Sequence, residues 1–145
     1  MELEEDRSGE NCLIITFGRE RSESLANWEF LALYFPLFSF FKRLRRIYIL
    51  FNAKHGLNAF DARMLSILSE SLVTTRGVQP FTLQAIITKV DTVPVDQLEP
   101  VIAKMRKDIW AAAPLCLPPI VTSTELSPPF GVDLVRHNIT NACSL

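Results

Sequence analysis

The 145-residue chain is the size of one ordinary domain, and 48% apolar against 21% charged residues supply a core, which excludes wholesale disorder. Fifteen basic and 16 acidic side chains leave a formal net charge of −1, so no global field favours nucleic acid or an anionic membrane as partner. Cys12, Cys116 and Cys143 lie far apart without metal-ligand spacing, as expected of reduced thiols inside a cell. Asn138-Ile139-Thr140 fits the glycosylation sequon, which in that setting is a chance match.

Residues 1–11 carry Glu2, Glu4, Glu5, Asp6 and Glu10 and are expected to form a disordered tail, too acidic for a targeting signal. Cys12 to Phe17 form an apolar run rich in β-branched residues and stopped by Gly18, which suits a buried strand. Residues 25–41 crowd Trp28, Phe30, Tyr34, Phe35, Phe38, Phe40 and Phe41 around Pro36, ahead of Lys42, Arg43, Arg45 and Arg46. The uncharged part, Phe30 to Phe41, is 12 residues long. A membrane-spanning helix needs about 20. Pro36 interrupts a helix midway, so a kinked helix covering one sheet face is the expectation.

From residue 46 the chain becomes regular. Ile47-Tyr48-Ile49-Leu50-Phe51 is apolar on both faces, as an interior parallel strand must be. Asn58 can cap a helix whose Phe60, Met64, Leu68 and Leu72 recur every four residues, and Gly77 and Pro80 mark a return loop. Leu83 to Ile87 reads as a second strand. Asp96 and Glu99 match a capping box opening a second helix, with Pro100 in its first turn and Leu98, Val101, Ile102, Met105 and Ile109 on its buried face. Pro118-Pro119 leads into a third strand, Ile120-Val121-Thr122, and a last helix carries Val132, Val135, Ile139 and Ala142 on one side. Three strand–helix units of similar length predict an open parallel sheet, whose ligands sit beyond the carboxyl ends of the strands.

Those ends read Asn52-Ala53-Lys54-His55-Gly56-Leu57, Thr88-Lys89-Val90-Asp91 and Thr122-Ser123-Thr124. A carboxylate just past a strand can accept two parallel N–H bonds from the N1 and N2 edge of guanine, a donor pair adenine lacks. A lysine two positions earlier can lay its aliphatic stem on the purine. A Thr-Lys-x-Asp string alone is more often a pair of solvated loop charges.

Together with Gly131-Val132-Asp133, these stretches resemble the EngB family of GTP-binding proteins, which assist assembly of the large ribosomal subunit. The family reads D-A-R-H-G-L, then T-K-x-D, then T-S followed by G-I-D, and the resemblance covers about residues 45–143. It implies an α/β fold, a partial P-loop NTPase-like (Ras-like G domain) three-layer sandwich with a mainly parallel sheet and helices on both faces. Residues 1–145 would then be one partial G domain: tail 1–11, a divergent strand with a hydrophobic helical region over 12–44, and three βα units over 45–145. By the same resemblance Lys89 stacks on guanine, Asp91 pairs with N1 and N2, Thr88 buttresses the loop, and Ser123 with Thr124 closes over O6. His55 fits a family loop position, where a structural or solvent-facing histidine is favoured over a catalytic one.

Other family features are absent from the sequence. No G-x-x-x-x-G-K-[ST] string, whose amides and lysine hold phosphates, occurs in the 145 residues. The best D-x-x-G match, Ile15-Thr16-Phe17-Gly18, has isoleucine where a carboxylate would serve Mg²⁺, so no catalytic or metal-binding residue is assigned. With the central P-loop strand missing, strands 13–17 and 47–51 must pair directly or leave exposed edges. The expectation is a truncated EngB-like protein that binds GTP or GDP weakly and does not hydrolyse it. It would sit inside the cell, cytoplasmic or, in a eukaryote, mitochondrial, with the large ribosomal subunit as the family partner. Two alternatives stay open: a pseudo-GTPase interaction protein, and a membrane-associated protein anchored by residues 28–46.

Overall fold

The computed structural model describes residues 2–5, 11–16, 44–72 and 81–143. The aromatic segment at 25–41, expected to be helical, lies outside the described residues. In chain order the elements are β1 (Glu2–Glu5), β2 (Asn11–Thr16), β3 (Leu44–Asn52), α1 (Ala59–Leu72), β4 (Thr82–Thr88), α2 (Val95–Ala112), β5 (Leu117–Val121) and α3 (Val132–Ala142).

The strands form one sheet in the order β1-β2-β3-β4-β5. β2 to β5 run parallel, and β1 lies antiparallel on the β2 edge with Glu2 opposite Ile14 and Glu5 opposite Asn11. Composition alone suggested a frayed tail where β1 stands. Backbone pairing follows a different rule, because β2 offers an open row of amides and carbonyls and a short charged strand is a common way to close such an edge.

β2 and β3 are direct neighbours, with Leu13 opposite Ile47 and Ile15 opposite Ile49. Of the two outcomes expected for these strands, direct pairing or exposed edges, pairing is the one observed. β3 and β4 end level with each other, Asn52 opposite Thr88, so their following loops leave the sheet side by side.

Helices cover both faces. Alternation along the strands sends Ile47, Ile49, Phe51, Leu83, Ala85 and Ile87 to one side, where α1 and α2 contribute Met64, Leu65, Leu68, Leu72, Met105 and Ile109 to the larger core. Each such large side chain, fully buried, contributes about 1.5–3 kcal/mol of hydrophobic stabilisation. Cys116 closes the same core, and burial pushes its thiol up to about 11, which keeps it protonated at neutral pH. On the opposite face Tyr48 and Ile86 meet Ala142 and Cys143, with Leu50, Val135 and Ile139 alongside. Polar groups complete this second layer: Asn138 Oδ1 accepts hydrogen bonds from the Tyr48 hydroxyl at 2.9 Å and from the Arg46 guanidinium. Asn138 thereby ties α3 to β3.

Three local readings change. The capping box expected at Asp96 and Glu99 does not form, because α2 begins at Val95 behind an N-cap Pro94 that offers no side-chain bond. Asp96 instead sits in the first turn, where a carboxylate faces the positive end of the helix dipole, and Pro100 lies inside the helix rather than in that turn. A reciprocal box does form at α1: Asn58 Oδ1 accepts from the Asp61 amide at 2.8 Å, and Asp61 Oδ2 accepts from the Asn58 amide at 3.1 Å. The prolines expected to precede the third strand belong to it. Pro118 and Pro119 fall within β5, which is the edge strand of the sheet, where a missing N–H is tolerated. The buried Gln84 side chain secures this edge from β4 by donating to the Pro118 carbonyl at 2.8 Å.

Candidate functional site

At the carboxyl end of the sheet, β4 closes on β3 through its last residue. The Thr88 hydroxyl donates to the Phe51 carbonyl at 3.1 Å, and the Thr88 carbonyl accepts from the Ala53 amide at 2.9 Å. The next residue, Lys89, adopts the left-handed conformation at φ 57°, ψ 40°, and is the described non-glycine residue with positive φ. That conformation costs a side-chain-bearing residue about 1–2 kcal/mol. Its surroundings hold it: the Lys89 carbonyl accepts from the Thr92 hydroxyl at 2.7 Å and the Thr92 amide at 3.1 Å. The result is a tight 3-10 turn, Val90–Thr92, rooted by buried Val90 and displaying Lys89 and Asp91 to solvent.

β5 approaches this turn from the other side. The Thr122 amide donates to the Ile87 carbonyl at 2.8 Å, and the Val90 amide donates to the Thr122 carbonyl at 3.4 Å. Beyond them the Ser123 hydroxyl donates to Asp91 Oδ1. Ser123 is 1% exposed whereas the Asp91 side chain faces solvent, so the serine fixes the carboxylate from beneath and its outer lone pairs stay available to a ligand. Thr124 stands exposed at the start of the following loop.

That loop is closed at its base. Ser123 and Phe130 exchange both backbone hydrogen bonds, at 3.0 and 2.9 Å, in an isolated antiparallel bridge. Gly131 follows at φ 72°, and a Cβ there would lie 2.1 Å from the Val121 carbonyl oxygen, so only glycine lets the chain pass this close to β5 before α3 begins.

The five residues singled out from the sequence therefore fall on two adjacent strand ends. Asp91 and Ser123 are in direct contact, Thr88 and Lys89 shape the turn beside them, and Thr124 lies on the neighbouring loop. His55 is separate: its amide donates to the Asn52 carbonyl at 3.1 Å within a turn after β3, and its side chain is exposed. Sequence reasoning missed Thr92, whose hydroxyl three residues after Lys89 is a recognisable turn signal. It also missed the Ser123–Phe130 bridge, which joins residues around a proline-rich loop that no local periodicity announces.

Among the described residues no three His, Cys, Asp or Glu side chains converge on a metal site. No helix of the described residues is long and apolar enough to cross a membrane.

A mainly parallel sheet covered by helices on both faces is an α/β architecture consistent with a partial P-loop NTPase-like fold, and its Asp–Ser pair lies at the strand ends where such sheets hold ligands. The solved structure of translation elongation factor SelB from Methanococcus maripaludis shares this fold over 70% of the chain and 20% of SelB, with a TM-score of 0.51 and 19% identity. In sequence the chain is 35% identical over 83 residues to a "Probable GTP-binding protein EngB" of Ruegeria pomeroyi. It is 31% identical over 99 residues to another so described from Roseobacter denitrificans. The matches take in 57% and 68% of this chain, which spans 34% and 41% of the two relatives. No protein-family model matches. These likenesses are consistent with part of an EngB-type G domain.

Proposed function

We propose that this chain recognises guanine nucleotides through the base, by way of the loops after β4 and β5, and that it does so without hydrolysing GTP. The observation that carries the reading is the buried Ser123 hydroxyl holding the exposed Asp91 carboxylate. A carboxylate fixed in this way can accept the N1 and N2 hydrogens of guanine as a bidentate pair. Lys89, lifted out of the strand by its left-handed backbone, would lay its stem along the purine, and Thr124 with the Ser123 loop would face O6. The two EngB relatives, named as GTP-binding proteins, support the same ligand.

Phosphate recognition is a different matter. Without a G-x-x-x-x-G-K-[ST] string the chain lacks the amide cradle and lysine that hold phosphates, so affinity should be far below that of a complete G domain. The family partner, the large ribosomal subunit, and an intracellular site, cytoplasmic or mitochondrial, belong to the same proposal.

Titration with fluorescent GDP and ADP tests it. Weak saturable binding of GDP, a clear preference over ADP, and no phosphate release from GTP are expected. Asp91→Asn should lower GDP affinity about tenfold or more, since it removes charge-assisted hydrogen bonds, and should erase the preference. Equal binding of both nucleotides by the unaltered chain would sink the reading.

A further inference from the structure

The bridge between Ser123 and Phe130 places a second side chain at this site. In a hydrogen-bonded antiparallel pair the two residues point to the same face of the ladder, with Cβ atoms about 4.5–5.5 Å apart. Ser123 sends its hydroxyl to Asp91. Phe130 therefore projects its ring on the side where the Asp91 carboxylate stands. Phe130 is 55% exposed although its backbone is tied at both ends, to Ser123 by two hydrogen bonds and against β5 through the close approach of Gly131. An aromatic ring held on so fixed a support, beside an ordered carboxylate and left half in water, is placed to receive a flat partner.

We propose that Phe130 forms the apolar wall of the base pocket, packing its ring against the purine while Asp91 reads the purine edge. The proposal rests on the guanine reading above and deepens it by dividing the labour. Phe130 contributes affinity for any purine, because every base presents a π face, whereas Asp91 contributes the choice between guanine and adenine.

The test uses the whole chain with GMP and AMP, which minimise the part played by phosphate contacts. Binding is followed by ligand-observed NMR, with a thermal melt of each variant as a folding control. Phe130→Ala should weaken both nucleotides about three- to tenfold and leave their affinity ratio unchanged. Asp91→Asn should instead collapse the ratio. Leu134→Ala, which removes another exposed apolar side chain, on α3, should change neither. If Phe130→Ala fails to fold, Phe130→Tyr and Phe130→Leu replace it, with Tyr binding like the unaltered chain and Leu binding more weakly. Unchanged GMP affinity in Phe130→Ala, or equal affinity in the Tyr and Leu variants, overturns the wall. Absence of any preference for GMP over AMP in the unaltered chain instead overturns the guanine reading beneath it.

Discussion

After β3 the chain turns back upon itself. Asn52 supplies both acceptors, its carbonyl taking the amides of His55 and Gly56 at 3.1 Å each and its side-chain oxygen taking the Lys54 amide at 2.9 Å. After β4, which ends at the same level, the bonds instead run outward. Thr88 reaches to β3, Val90 to the end of β5, and Asp91 to Ser123. The first arrangement is a self-contained turn whose exposed Lys54 and His55 meet nothing fixed. The second is a junction where three strands hold one another's ends, and there a carboxylate can be kept in one place. A strand-end position in an α/β sheet thus becomes a binding site only when neighbouring strands order it; topology supplies both places, and cross-strand bonding distinguishes them.

The glycines give the largest test of that contrast. Gly56 and Gly131 both have positive φ, but a Cβ at Gly56 meets nothing within 4 Å whereas one at Gly131 would collide with the Val121 carbonyl. Gly56→Ala should cost about 1 kcal/mol in chemical denaturation, the strain of the backbone alone. Gly131→Ala should cost about 3 kcal/mol or more, since the clash adds to the strain and cannot be relieved without parting the loop from β5. Equal losses would mean that the junction is no more tightly built than the turn.

How much of this was legible in the sequence depends on the range of the interaction. Strand cores such as Ile47 to Phe51 and Leu83 to Ile87 declare themselves by composition, and helix faces such as Met64, Leu68 and Leu72 by their period. Both patterns follow from burial against a sheet. Asn58 was recognisable as a cap because its partner, Asp61, lies three residues away. Asp96 and Glu99 match the same string, yet the N-cap falls at Pro94, two residues earlier, and the match is empty. The pairing of Glu2–Glu5 with β2, the place of Pro118 and Pro119 on an edge strand and the bridge from Ser123 to Phe130 depend on which neighbour lies alongside. No local pattern carries that information. The candidate site shows the same division: Thr88, Lys89, Asp91, Ser123 and Thr124 were readable from a resemblance, whereas the contacts that order them appear only once β5 is in place.

A smaller effect is expected where the β4 end is tied to β3. Thr88→Val keeps the branched shape of the side chain but removes the hydroxyl that donates to Phe51. A loss of about 1 kcal/mol by denaturant titration is expected. It should be accompanied by increased hydrogen exchange at Val90 and Ser123, if the strand ends are coupled as their bonding implies. Exchange confined to Thr88 would show the tie to be local, like the turn after β3.

The smallest effect belongs to the β3 side and should appear as a pH dependence. Asp61 closes the capping box behind that turn. Burial raises its carboxyl above the ordinary carboxylate value, against the opposing pull of the hydrogen bond from Asn58. The sign follows from which state ionises first. Below the ordinary value the group is protonated in both states and costs nothing. As pH rises, the unfolded chain ionises before the folded one, so ionisation favours unfolding, and stability falls until the folded-state value is passed, then levels off. Asp61→Asn retains a side-chain acceptor for the Asn58 amide but cannot ionise, so it should remove this decline as pH rises above the ordinary carboxylate range, measured as the denaturation midpoint against the unaltered chain. A variant whose midpoint tracks the unaltered chain across that range would place the titration elsewhere. The capping box would then stabilise the turn after β3 as a neutral contact would, indifferent to the charge it carries.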